Sequence, residues 1–303
     1  MTTSLDKASW DYDPGYDLRL LEGAQVIQIL NISLNSASII CGSLVLVVYF
    51  LIRSYEPKLM DRVSLRLTAV ISLVDVLRAA TYIAFTFITS AGPGCKFSAW
   101  AILFLTNYYV FLTCMIAFNL QYVFLHYQPY QNRLERKYFL VSTTLSFATT
   151  LPALIWDRVG WDDSTGACWW RHYSAIRTKI WEWGSFLIWV ILGTIYCTVV
   201  VVLVVIKLQR NKARLKVLNE VSPPDEFAIC QSERMESYRT VNRLVTRITL
   251  YILIPIVTQG GFILMEIWLQ FKHTMNPGIN YWSVIGTDLS GQECYFPCLR
   301  ADV

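Results

Sequence analysis

Asp75 and Arg78 stand three residues apart in a stretch of sequence that is otherwise almost uncharged, with Arg66 twelve residues before Arg78. On a helix that spacing puts Asp75 and Arg78 on one face, where they can pair. Ionisable groups in long apolar segments are costly and commonly mark an internal contact or pathway. Asp75 is expected to make a polar contact with Asn107, Asn119 or a residue of the last helix. The alternative is local neutralisation by Arg78, or an Arg78 that points into an outward cavity. Under the first reading, Asp75→Asn should impair signalling at unchanged surface expression. A second polar set, Thr106, Asn107, Tyr108, Tyr109, Thr113, Asn119 and Gln121, can bond between helices or act as ordinary packing glue.

Catalytic constellations are missing. The chain has three histidines, and no zinc-protease motif, nucleophile elbow, P-loop or close Ser-His-Asp arrangement occurs in it. No metal cluster and no cofactor is expected, and the sequence points away from an enzyme.

These residues must be positioned by long apolar elements. The chain has 303 residues, 54% hydrophobic and only 16% charged, with 26 Lys and Arg against 22 Asp and Glu. A soluble domain carries roughly 25% charge. The composition excludes a disordered chain, a secreted disulfide scaffold and a nucleic-acid binder with a broad basic surface. It fits a polytopic membrane protein.

A hydrocarbon core needs about 20 helical residues per crossing. Six spans are readable, at residues 26–52, 63–88, 97–124, 138–156, 183–206 and 248–269. The fourth contains Pro152 and the sixth Pro255, followed by Gly260 and Gly261, so the outer half of span six is expected to be deformable. A seventh begins after Pro277, but only about ten residues suit a membrane before Asp288, Gln292 and Glu293, about half the required length. The expected architecture is therefore all-α: a seven-transmembrane receptor-like bundle with six clear spans and an incomplete seventh. Residues 1–24 form an extracellular segment, 25–290 the bundle with a cytoplasmic linker at 207–247, and 291–303 a short atypical tail. The first apolar run is expected to stay as an anchor rather than be removed as a signal.

Orientation follows from basic loops, which face the cytoplasm. Arg53, Lys58 and Arg62 follow span one, and Arg133, Arg136 and Lys137 follow span three. The linker after span five holds Lys207, Arg210, Lys212, Arg214 and Lys216, then Arg234, Arg239, Arg243 and Arg247. The N-terminus is then outside, in a multi-pass protein of the plasma membrane. Asn31-Ile32-Ser33 is a glycosylation sequon at or inside span one. Cys95, just before span three, and Cys168, in the next outer loop, could form a disulfide or remain two free thiols. Tryptophans gather near the same side, as an aromatic belt or as the rim of a mouth.

This arrangement resembles a G-protein-coupled receptor, and more closely the cyclic-AMP-receptor-like receptors of fungi and slime moulds, related to the glucose-sensing receptors of fungi. The residues that carry the likeness are Asp61-Arg62-Val63-Ser64-Leu65-Arg66-Leu67 with Asp75 beyond, Cys95, Tyr108 through Tyr122, Cys168-Trp169, and Asn242 to Pro255. It covers residues 25 to 290. Span three ends in Asn119-Leu120-Gln121-Tyr122, not the Asp-Arg-Tyr of the rhodopsin-like class.

The resemblance implies a non-enzymatic receptor for an extracellular ligand. Arg78, Tyr108, Trp169 and Glu182 are its expected ligand contacts. A heterotrimeric G protein would dock inside, near Arg133, Lys137, Arg214 and Arg243, which serve equally well as topology determinants facing lipid headgroups. A receptor oligomer is a further expected partner, besides the bilayer; nucleic acid is not. The short seventh segment fits a second reading, a truncated non-signalling paralogue or membrane partner protein. A small-solute transporter is a third, with weaker support because paired broken helices are not visible.

Overall fold

The computed structural model describes residues 14–55, 63–88, 90–126, 132–162, 167–171, 175–221, 259–268 and 277–289. Helix α1 runs Pro14–Tyr55, α2 Val63–Thr86, α3 Pro93–His126 and α4 Asn132–Ile155. A hairpin follows, β1 Val159–Asp162 with β2 Ala167–Trp170. Then come α5 Ala175–Glu182, a π-helical turn Trp183–Leu187 and α6 Ile188–Val221. Helix α7 covers 259–268 and α8 is Pro277–Leu289. Pro14, Pro93 and Pro277 each open a helix. At that first position the missing N–H has no partner to lose, and φ is already helical.

Five helical stretches are long and apolar enough to cross a membrane: Gln25–Tyr55, Ala69–Thr86, Pro93–Tyr122, Arg136–Ile155 and Arg177–Lys207. Only 17% of the most apolar window of α1 is buried. Ile29, Ile40, Leu44 and Phe50 point away from the protein, as do Leu140, Ile155, Leu192 and Ile195 on α4 and α6. A water-soluble fold would leave few such continuous apolar faces uncovered. The first half of expected span six, 248–258, lies outside the described residues. The 13 described residues of helix α8 rise about 20 Å, short of the roughly 30 Å hydrocarbon layer.

Helix α1 is longer than the apolar pattern suggests. Its 42 residues begin inside the segment expected as the extracellular N-terminus. The sequon residue Asn31 lies within this helix, and its Oδ1 accepts a hydrogen bond from Asn35 Nδ2 at 2.6 Å.

The helices pack α1 on α2, α2 on α3, and α3 on both α4 and α6, with α8 against α1. Helix α3 is therefore the central post. One of its buried faces, Leu103, Thr106, Val110, Thr113, Ala117 and Leu120, repeats every three to four residues, and Ile102, Asn107, Tyr109 and Leu112 are buried beside it. Gly193 lets α6 approach closely: a Cβ there would stand 2.5 Å from Val110 Cγ1 and 3.2 Å from Cys114 Sγ. At Gly261 a Cβ would meet the Trp282 carbonyl oxygen at 3.0 Å, so α7 and α8 touch through backbone.

One end of the bundle is capped. Cys95 at the start of α3 is bonded to Cys168 of β2, with Cα atoms 5.4 Å apart. Val159, Cys168 and Trp170 are buried in the same apolar cluster as Leu103, Phe186 and Val190. At the end of α4, Asp157 adopts φ 55°, a left-handed conformation that Asp tolerates better than most residues. Its carboxylate pairs with Lys96 of α3 and Arg171 after β2. These charge-assisted bonds hold its pKa below the usual value, the Lys96 hydrogen bond contributing most.

Candidate functional site

The most unusual chemistry lies between α2 and α3. Asp75 and Arg78 are both only 3% exposed, and Arg78 Nη2 stands 3.2 Å from Asp75 Oδ1. The guanidinium also lies over the Tyr109 ring, 4.9 Å from its centroid. Local pairing at i,i+3 is thus the arrangement that the structure contains. It brings neither Asn107 nor Asn119 to Asp75, and Arg78 is buried rather than set in an open mouth. The geometry is economical. A buried carboxylate and guanidinium neutralise each other, and the aromatic face offers the cation a second favourable surface.

Asn107 is committed elsewhere. Its Nδ2 donates to Thr149 Oγ1 of α4 at 3.0 Å and to the Ser185 carbonyl of the π turn at 2.9 Å. It is fully buried, and its Oδ1 has no hydrogen-bond partner. One side chain therefore ties α3 to both α4 and the α5–α6 junction. π turns loosen the regular helical ladder and often occur where a helix must offer backbone to a neighbour. Further along, Tyr196 of α6 donates its hydroxyl to Gln121 Oε1 of α3 at 3.0 Å. Asn119 is half-buried with Oδ1 unpartnered.

Among the described residues, the four expected ligand contacts stand in separate sets of neighbours. Arg78 belongs to the Asp75–Tyr109 set. Tyr108 stacks on Phe104, 6.0 Å between centroids, and Phe104 in turn meets Phe147 of α4. Trp169 lies in β2 opposite Gly160 and packs on the apolar cluster under the hairpin. Glu182, at the end of α5, lies beside Glu266 of α7. One turn after Glu182 and one turn before Glu266, Phe186 packs edge-on against Phe262, 5.5 Å apart. Of the expected inner contacts, Lys137 is exposed on α4. Arg133 and Arg214 have backbone in α4 and α6, but their side chains, like all of Arg243, lie outside the described residues.

Sequence reasoning singled out Tyr108 where the structure puts its neighbour Tyr109 against Arg78. The signal was available: Tyr109 falls on the buried Thr106–Thr113 face of α3, and Tyr108 is turned about 100° from it. Gln259 was also missed. It is 1% exposed on α7, and neither end of its amide has a hydrogen-bond partner. Among the described residues, no group of three His, Cys, Asp or Glu side chains gathers as a metal site.

No protein-family model matches this chain, and no curated protein matches it.

Proposed function

We propose that the chain is a receptor-like bundle of the plasma membrane that transmits an extracellular signal to a heterotrimeric G protein. In this reading the N-terminus and the disulfide-capped end face outward, six spans cross, and the seventh is incomplete. The observation that carries the reading is the buried polar core on α3. Asp75, Arg78 and Tyr109 couple α2 to α3, while Asn107 couples α3 to α4 and the π turn. Such contacts have discrete arrangements, so a ligand that favours one of them shifts the relative positions of helices. Helix α6 continues to Val221, well past its apolar part, and would carry that shift into the basic linker.

Purified protein in lipid nanodiscs, mixed with heterotrimeric G protein and apyrase, tests this without a known ligand. An active receptor should hold the nucleotide-free G protein and release it on adding a non-hydrolysable GTP analogue. Absence of any nucleotide-sensitive complex across the G-protein classes would contradict the proposal. It would instead favour the second reading, a non-signalling membrane partner, which the 13-residue α8 supports. Transport has no such specific support.

A further inference from the structure

Two unbonded sulfurs meet beside the close approach of α3 to α6. Cys114 Sγ lies 3.9 Å from Cys197 Sγ and 3.8 Å from the Gly193 carbonyl oxygen. We propose that Cys114 and Cys197 form a second, reversible disulfide when a lipid-soluble hydroperoxide reaches them, and that this bond ties α3 to α6. The proposal goes beyond the receptor reading and does not depend on it.

Position is the first argument. Val110 and Cys114 are one turn apart on α3, and Gly193 and Cys197 are one turn apart on α6. Because Gly193 has no side chain, α6 packs directly on Val110, whose Cγ1 would stand 2.5 Å from an added Cβ. The next turn of each helix then brings thiol to thiol. Beyond it, Cys197 packs with Ala117, Leu120, Val200, Val201 and Val204, and Tyr196 bonds Gln121 at 3.0 Å. The pair is therefore held from both directions along the helices. A disulfide places its sulfurs about 2 Å apart, so closure takes about 2 Å of approach, which rotation about the two Cα–Cβ bonds can supply.

The chemistry balances in two steps. One thiol attacks the peroxide: an S–O bond forms, the O–O bond breaks, and the thiol proton goes to the departing alkoxide. A sulfenic acid and an alcohol result. The second thiol attacks the sulfenic sulfur: an S–S bond forms, the S–O bond breaks, and the hydroxide leaves with the second proton as water. Two electrons pass from the sulfurs to the peroxide.

The surroundings select the oxidant. Cys197 is 3% exposed and Cys114 is half-buried. Both lie in helical stretches long and apolar enough to cross a membrane, Pro93–Tyr122 and Arg177–Lys207. A charged or strongly hydrated oxidant enters such a layer only at high cost. A hydroperoxide carried on an apolar body, such as a peroxidised acyl chain, does not meet that barrier. A sulfenic acid formed here has the second thiol already beside it, so closure outruns attack by another peroxide.

The parent protein in nanodiscs, treated with cumene hydroperoxide, desalted, denatured in N-ethylmaleimide and digested for mass spectrometry, tests this. Cys41 of α1 is the internal reference. The expected product is a peptide joining Cys114 to Cys197, abolished by dithiothreitol before labelling. Labelling at both positions should fall about tenfold or more faster than at Cys41. In Cys197→Ala, Cys114 should instead be captured as its sulfenic acid by dimedone, with the Cys95–Cys168 bond and a cooperative melt verifying the fold. Retained labelling of Cys114 and Cys197 in the parent, loss no faster than at Cys41, or sulfinic acid without the joined peptide would overturn the proposal. So would a peptide joining either cysteine to a different one.

Discussion

At the scale of residues, the Asp75–Arg78 pair makes the sharpest demand. Removing one partner of a buried ion pair leaves the other charge uncompensated and costs about 3–5 kcal/mol. Asp75→Asn is therefore expected to lower thermal stability and surface expression and, under the receptor proposal, signalling with them, where the sequence alone led to an expectation of unchanged expression. The double variant Asp75→Leu/Arg78→Leu should recover most of the stability, because both desolvated charges go at once. Melting temperatures of the two variants in the same detergent provide the check; a double variant less stable than the single one would contradict the account. Asp157 behaves differently, being at the capped end and partly exposed. Its pKa is lowered in the fold, so its contribution is fully present above the unfolded value and lost as pH falls through the folded one. Hydrogen exchange of residues 157–171 should be flat from pH 5 to 8 once intrinsic rates are corrected, and should rise only below about pH 4. Charge within the apolar helices was legible in the sequence because so few charges interrupt the apolar runs. The partner of Asp75 was not, since Arg78 and Asn107 are equally reachable on paper.

At the scale of elements, α3 carries the bundle through close approaches that tolerate no extra volume. Gly193→Leu forces a side chain into Val110 and Cys114. Overpacking of this kind costs about 1–3 kcal/mol, to be read as a lowered melting temperature, with Gly184→Leu as the control because a Cβ there meets nothing within 4 Å. The Cys95–Cys168 bond closes a segment of 73 residues, and loss of such a link costs about 2–5 kcal/mol. Cys168→Ser should therefore melt earlier, and reductant should have no further effect on it while lowering the melting point of the parent protein. Apolar length revealed where α1 to α4 and α6 would lie. It hid the start of α1, because Pro14–Gly23 is polar and continues the helix by geometry rather than by hydrophobicity. The hairpin was hidden too: its strands are four residues each, too short for an alternating pattern to register. The π turn has no sequence signature at all.

At the scale of the whole molecule, the receptor proposal requires a definite orientation. The capped end, with its disulfide, must face outward, and the end from which α6 extends must face the G protein. The basic loops predict this sense from the sequence, and the outward-facing apolar side chains of α1, α4 and α6 supply a surface suited to lipid. Short tags placed before Met1 and within the linker near Ser222 decide it, by antibody labelling of intact and then permeabilised cells. The account predicts labelling of the first tag on intact cells and of the second only after permeabilisation. The reverse pattern, or both tags labelled on intact cells, would place the linker away from any G protein and contradict the receptor reading.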